Sequence, residues 1–222
     1  MHYNLLFNGC SFTEGAELEG INKDYEYRDN NRFSHVVGEL TGLTYANISG
    51  SGASNQKILR TTVDWFEEGN TCDHAIIQWT NRYRLEIFAD KDYFNINPFK
   101  AWGLEYFKTQ TDQNDQDTED CYMYWMEQFL KDRCSFDYLK LQKEKEVCKE
   151  YYEKGTYYKH RTKFPITYIR GGILDESFDT EDYCFKYKNI ETLNGGHPSA
   201  LGHRKIAEYI INNFEYFKVD AL

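Results

Sequence analysis

Apolar and polar positions along this chain follow two rhythms in turn. Residues 3–9 carry the short continuous run Leu5-Leu6-Phe7, the pattern of a strand buried on both faces. Over residues 34–41 the apolar positions Val36, Val37 and Leu40 fall at helical spacing, and Gly42 supplies a stop. Residues 43–48 suit a second strand. Ile58, Leu59, Thr62, Val63 and Phe66 then keep helical spacing as far as Gly69, and residues 74–79 read as a third strand. This β-α-β-α-β succession predicts a parallel sheet covered by helices on both faces, a three-layer α/β/α architecture.

From about residue 90 to residue 164 the alternation stops, over a stretch longer than an ordinary crossover. Residues 109–120 are polar and acidic and predict a solvated loop. Residues 122–154 interleave aromatics with Lys and Glu at helical spacing, with Leu139, Leu141, Val147 and Tyr151 among the apolar positions, and predict one or two inserted helices that form a lid or a partner surface. Residues 165–170 restore a strand, residues 184–190 suit a fifth, and residues 199–217 predict a closing amphipathic helix whose core contacts are Leu201, Ile206, Ile210 and Phe214. The expected organisation is a single domain over 1–222 with a helical and loop insertion at about 90–164, and no internal repeat.

Chemistry concentrates at the two ends. Asn8-Gly9-Cys10-Ser11-Phe12-Thr13 follows the first strand, which puts Ser11 in the first βα turn, at the sheet edge where open α/β proteins bind ligands. A serine hydroxyl becomes a useful nucleophile when a positioned base takes its proton. His197-Pro198 opens the last helix, and histidine titrates in the range that such a base needs. A purely structural alternative stands beside this: Ser11-Phe12-Thr13-Glu14 is also a capping box, in which Ser11 serves the first amides of a helix. His203 is the competing base, although its place inside the predicted helix suits packing or solvent, as do the places of His2, His35, His74 and His160.

The segments Gly9-Cys10-Ser11-Phe12, Asn47 to Asn55, Trp79-Thr80-Asn81-Arg82 and Asn194 to His197 together resemble the sequence blocks of the SGNH (GDSL-like) hydrolase superfamily. The resemblance covers roughly residues 1–85 and 165–222. It implies a mostly parallel, flavodoxin-like sheet and a serine esterase with Ser11 as nucleophile and His197 as base. The oxyanion hole it implies consists of the backbone N–H groups of Ser11 and Gly52 and the side-chain amide of Asn81. No metal or organic cofactor is implied. Cys10 stands where the family usually has aspartate. Asn194 stands where the family has the aspartate that orients the histidine, and an amide supplies no charge to the imidazolium. Three explanations stay open: a Ser-His dyad with Asn194 as orienter, another carboxylate such as Asp179, Asp182 or Glu191, or a fold that has lost activity. Gly52 has a plain turn reading as well. Arg82 and Arg84 read as surface partners of Glu86, with neutralisation of an anionic substrate as the other use.

Composition narrows the partners. A net charge of -10 argues against nucleic acid, whose binding draws on Lys and Arg contacts to phosphate. No apolar run reaches membrane-spanning length and no signal-peptide pattern opens the chain, so a cytoplasmic location is expected. Six cysteines without a C-x-x-C pair predict reduced thiols and no zinc site. Neither a P-loop, nor G-x-G-x-x-G at the first turn, nor G-x-S-x-G is present. The aromatic content of 17% suits a surface that stacks on sugars, which makes an O-acetylated glycan the expected substrate class. The rival expectation is a non-catalytic glycan-binding or assembly module on the same fold. A gap above about 5 Å between Ser11 Oγ and both His197 ring nitrogens would favour that rival.

Overall fold

The computed structural model describes residues 1–20, 22–80, 84–89, 92–96, 112–141, 167–168 and 197–218. Its main sheet contains β1 (His2–Asn8), β2 (Tyr45–Asn47), β3 (Thr71–Gln78), β6 (Ser135–Lys140) and β7 (Thr167–Tyr168) in the spatial order β2-β1-β3-β6-β7, every pairing parallel. A separate antiparallel hairpin joins β4 (Leu85–Ala89) to β5 (Asp92–Ile96). The helices are α1 (Ser11–Glu14), α2 (Tyr25–Asn31), α3 (Phe33–Thr41), α4 (Asn55–Glu67), α5 (Asp112–Leu130) and α6 (Ala200–Asn213), followed by a 3₁₀ turn at Glu215–Phe217. Helix α3 packs with α6, and α4 packs with α5, forming the two outer layers.

The apolar runs become the middle of the sheet. Leu5, Leu6 and Phe7 of β1 and Ala75, Ile76 and Ile77 of β3 are buried, each side chain packed between strand and helix layers. Burial of such side chains stabilises by about 1.5–3 kcal/mol each, which is why the two central strands are the most apolar. Helix α3 stops where expected: Gly42 takes φ 71°, and its N–H caps the Gly38 carbonyl. Helix α4 begins on Ser54, whose hydroxyl accepts from the Lys57 N–H. Helix α6 begins on Ser199, whose hydroxyl accepts from the Gly202 N–H, so His197-Pro198 lies just before the helix.

Two expectations for the middle of the chain are corrected. Within the run predicted as a solvated loop, residues 112–120 form the first half of the 19-residue helix α5, and Glu119 and Asp120 are buried. Within the run predicted as inserted helices, Ser135–Lys140 is a strand of the main sheet, paired with β3 from His74↔Ser135 to Gln78↔Leu139. The βα alternation therefore continues through α5 and β6. Helix α2 and the β4–β5 hairpin had no counterpart in the sequence reading; α2 is capped by the Asp24 carboxylate, which accepts from the Tyr27 N–H. The strand expected at 184–190 lies outside the described residues. Cys10, Cys72, Cys121 and Cys134 are free thiols. Among the described residues no helix is long and apolar enough to cross a membrane, and no cluster of side chains is suited to a metal ion.

Candidate active site

Three loops meet at the carboxyl edge of β1, β2 and β3, where the strand order reverses direction and open α/β sheets place ligands. The loop after β2 is tied to the loop after β1 by the Gly50 N–H, which donates to the Gly9 carbonyl at 3.2 Å. The end of β3 is tied to the start of α4 by Asn55, buried, whose side-chain oxygen accepts from the Thr80 N–H at 2.8 Å and whose amide donates to the Thr80 carbonyl at 3.2 Å. Asn47 anchors the β2 loop by donating to the Thr13 carbonyl at 2.9 Å and to the Ser34 hydroxyl at 2.7 Å.

Gln78, the last residue of β3, holds the turn that carries Ser11. Its side-chain oxygen accepts from the Cys10 N–H at 3.0 Å, the Thr13 hydroxyl at 2.9 Å and the Cys10 thiol at 3.2 Å. This accounts for the departure at position 10: a thiol can donate to that buried oxygen, whereas an aspartate carboxylate would face it as a second acceptor. Gly9 is required by space. A Cβ there would lie 2.3 Å from Thr13 Oγ1 and 2.7 Å from Gln78 Oε1, so any side chain would push the hydroxyl and amide apart.

Ser11 is not a helix cap. Cys10 occupies the N-cap position without a side-chain cap bond, and Ser11 is the first residue of α1. Its Oγ lies 2.8 Å from His197 Nε2, within the reach of a working nucleophile–base pair and far below the gap that would have favoured a non-catalytic module. With the ring proton on Nδ1, the Ser11 hydroxyl donates to Nε2. The imidazole is packed against Phe12, ring centroids 4.8 Å apart, and the Phe12 ring is itself buried. On its far side, His197 Nδ1 lies 3.2 Å from Glu17 Oε2.

The backbone N–H groups of Ser11 and Gly52 donate to no protein acceptor among the described residues, which leaves both free for an oxyanion. Gly52 takes φ 72°, a left-handed conformation that residues with a Cβ rarely adopt, although the space around it is open. Asn81, Asn194, Asp179, Asp182, Glu191, Arg82 and His160 lie outside the described residues.

Three other histidines, His203, His74 and His35, are engaged in packing and hydrogen bonding away from Ser11. His203 is fully buried, its Nδ1 accepts from the Phe33 N–H at 3.1 Å, and its ring stacks on Phe33. Burial, with the neighbouring His197 and Arg32 adding to it, pulls its pKa down to about 3, so the ring is neutral and does not compete as a base. His74 is buried between Ser135 and Asp137 and stacks on Tyr216, and His35 meets the Tyr45 hydroxyl at 3.0 Å. The expected pairing of Arg84 with Glu86 is corrected, while that of Arg82 lies outside the described residues: Glu86 is buried and binds Arg60 through two bonds of 2.9 Å, and Arg84 reaches toward the Ala53 carbonyl at 3.5 Å. Arg60 reaches Glu86 from α4 in a two-pronged geometry that fits a carboxylate.

Sequence reasoning missed Glu17. The resemblance places the third group near His197, at Asn194. The signal available was local: Gly15 and Gly20 bracket Glu17 and mark a tight turn that folds back toward Ser11.

The sheet order and the helix layers define a three-layer α/β/α fold similar to that of GDSL hydrolases. Solved structures match it as a whole. One is a protein from Desulfitobacterium hafniense DCB-2 assigned to the G-D-S-L lipolytic family, at TM-score 0.52 and 13% identity, with 94% of this chain and 98% of that chain covered. Another is a carbohydrate esterase whose active site is described as having divergent catalytic and non-catalytic binding functions, at TM-score 0.53 and 12% identity; 97% of this chain is covered, and it spans 65% of that protein's length. At these identities the likeness concerns the fold. No family model matches the chain, and no curated protein matches it by sequence.

Proposed function

We propose that this protein is a serine esterase acting on a carboxylic ester, with O-acetyl groups on a glycan as the substrate class. The observation that carries the proposal is the 2.8 Å contact between Ser11 Oγ and His197 Nε2 at the ligand-binding edge of the sheet. Ser11 attacks the ester carbonyl while His197 takes its proton. The tetrahedral oxyanion accepts from the N–H groups of Ser11 and Gly52, with the Asn81 amide as third donor. The intermediate collapses, the alcohol leaves with the proton from His197, and water then releases the acid from the acyl-enzyme by the same steps. The chemistry needs no cofactor. The glycan substrate draws support from the fold shared with a carbohydrate esterase.

A fluorophosphonate probe tests the nucleophile. We expect it to label Ser11 in the native protein. Ser11→Ala should abolish both labelling and hydrolysis of p-nitrophenyl acetate, and the wild type should release acetate from acetylated xylan. Folded protein that stays unlabelled at high probe concentration would instead be the non-catalytic binding module.

A further inference from the structure

We infer that Glu17 is the positioning carboxylate of this site: it holds the His197 ring in the tautomer that Ser11 needs and stabilises the imidazolium formed during attack. The inference rests on the Ser11–His197 reading above and assigns the role that in the family falls to the residue now occupied by Asn194. Among the described residues Glu17 is the one carboxylate at ion-pair distance from His197, with Nδ1 and Oε2 3.2 Å apart and both side chains 15% exposed. Neither atom hydrogen-bonds any other group among the described residues. The approach lies off the ring N–H axis, as catalytic contacts do before a substrate tightens them.

The neighbouring charges leave Glu17 free for this work. Glu14 faces Arg28 at 3.6 Å, and Arg28 and Arg32 both reach Asp29. His203, buried behind the site, is neutral for the reason given above.

The backbone points the same way. Glu17 takes φ 74°, in the left-handed region where a Cβ is disfavoured and where glycine would be the easy choice. The turn is held there from several sides. Gly15, at φ 81°, sends the chain back from α1; the neighbouring Leu18 is buried; and the Glu17 carbonyl accepts from the Gly20 N–H at 3.1 Å. A side chain kept at a position that costs conformational energy, and aimed at the open nitrogen of the base, is what a functional constraint produces.

A neutral histidine in water favours the proton on Nε2, which would aim an N–H at Ser11 instead of a lone pair. A carboxylate at Nδ1 reverses that preference. ¹⁵N NMR of the ring therefore tests the inference without reference to turnover. In the wild type His197 should sit in the Nδ1–H tautomer, and Glu17→Gln should lose that preference. The same variant should lower kcat for p-nitrophenyl acetate by about 10² to 10⁴ with KM little changed, and Glu17→Asp should restore part of it. Glu17→Gly should lose as much turnover while keeping or raising Tm, because it relieves the backbone. A His197 tautomer unchanged in Glu17→Gln, or kcat within about twofold of wild type while Ser11→Ala is inactive, overturns the role of Glu17 and leaves the esterase standing. A wild type that never labels or turns over sinks the esterase reading, and the tautomer measurement still decides whether Glu17 orients the ring.

Discussion

The single side-chain oxygen of Gln78 receives two donors from Cys10 and one from Thr13, and through them it sets where Ser11 can point. His203 shows a different use of burial. Its ring is neutral in the fold, with a pKa near 3, whereas in the unfolded chain it titrates near 6.5. A group with a depressed folded value contributes stability that is present above about pH 6.5 and is lost as pH falls toward 3, because the unfolded chain takes up the proton first. We therefore expect His203→Gln, which keeps an acceptor for the Phe33 N–H, to flatten the loss of stability between about pH 6.5 and pH 4 by a few kcal/mol relative to wild type. Denaturant midpoints measured across that range check it, and parallel curves for the two proteins would show that His203 is not the buried titrating group. At this scale Ser11 and His197 were legible because each sits at a recognisable junction, glycine before one and proline after the other. Glu17 was legible only as part of a turn: Gly15 and Gly20 mark the turn, but nothing in Glu14-Gly15-Ala16-Glu17 tells which carboxylate it will aim inward.

Helix α5 and strand β6 show what the hydrophobic pattern can conceal. Met123, Met126 and Leu130 are buried on one face of α5, but the first half of that helix is acidic, and its inward contacts are polar: the Glu119 carboxylate accepts from the Asn55 amide at 3.0 Å. A polar residue used as a core contact looks like a loop residue in sequence. Strand β6 reads Ser-Phe-Asp-Tyr-Leu-Lys, an alternation with too few apolar positions to separate it from the aromatic, charged helix predicted there. Strands β1 and β3 were legible because they are buried on both faces, and α3 and α4 because glycine follows each of them. The consequence is testable. Deleting residues 109–120 should not behave as loop shortening, whose cost grows only logarithmically with length. It removes half of α5 and leaves the Asn55 amide without its Glu119 acceptor, a loss of about 1–3 kcal/mol from that group alone. We expect a stability loss above about 2 kcal/mol or loss of cooperative unfolding, read by chemical denaturation. An unchanged midpoint would put the segment outside the core.

Over the whole molecule the same sheet edge that gathers Ser11, Gly52 and His197 lies within the field of a chain carrying 36 acidic and 26 basic side chains, a net charge of -10. Such a field acts on approach, before any contact forms, and its reach is set by salt: the Debye length shortens from about 30 Å at 0.01 M to about 8 Å at 0.15 M ionic strength. A neutral ester feels none of this, and a glycan acetate is neutral at the reacting group. An anionic ester with the same leaving group should be repelled at low salt. Its kcat/KM should therefore rise by about twofold or more between those ionic strengths, while that of p-nitrophenyl acetate stays flat. Steady-state rates for the pair, measured side by side, separate the global field from local contacts. If the anionic ester is instead preferred at low salt and loses its advantage as salt is added, a local cation at the site overrides the net charge. Arg84, whose guanidinium reaches the Ala53 carbonyl beside Gly52, would then be the residue to remove, and Arg84→Gln should abolish the preference.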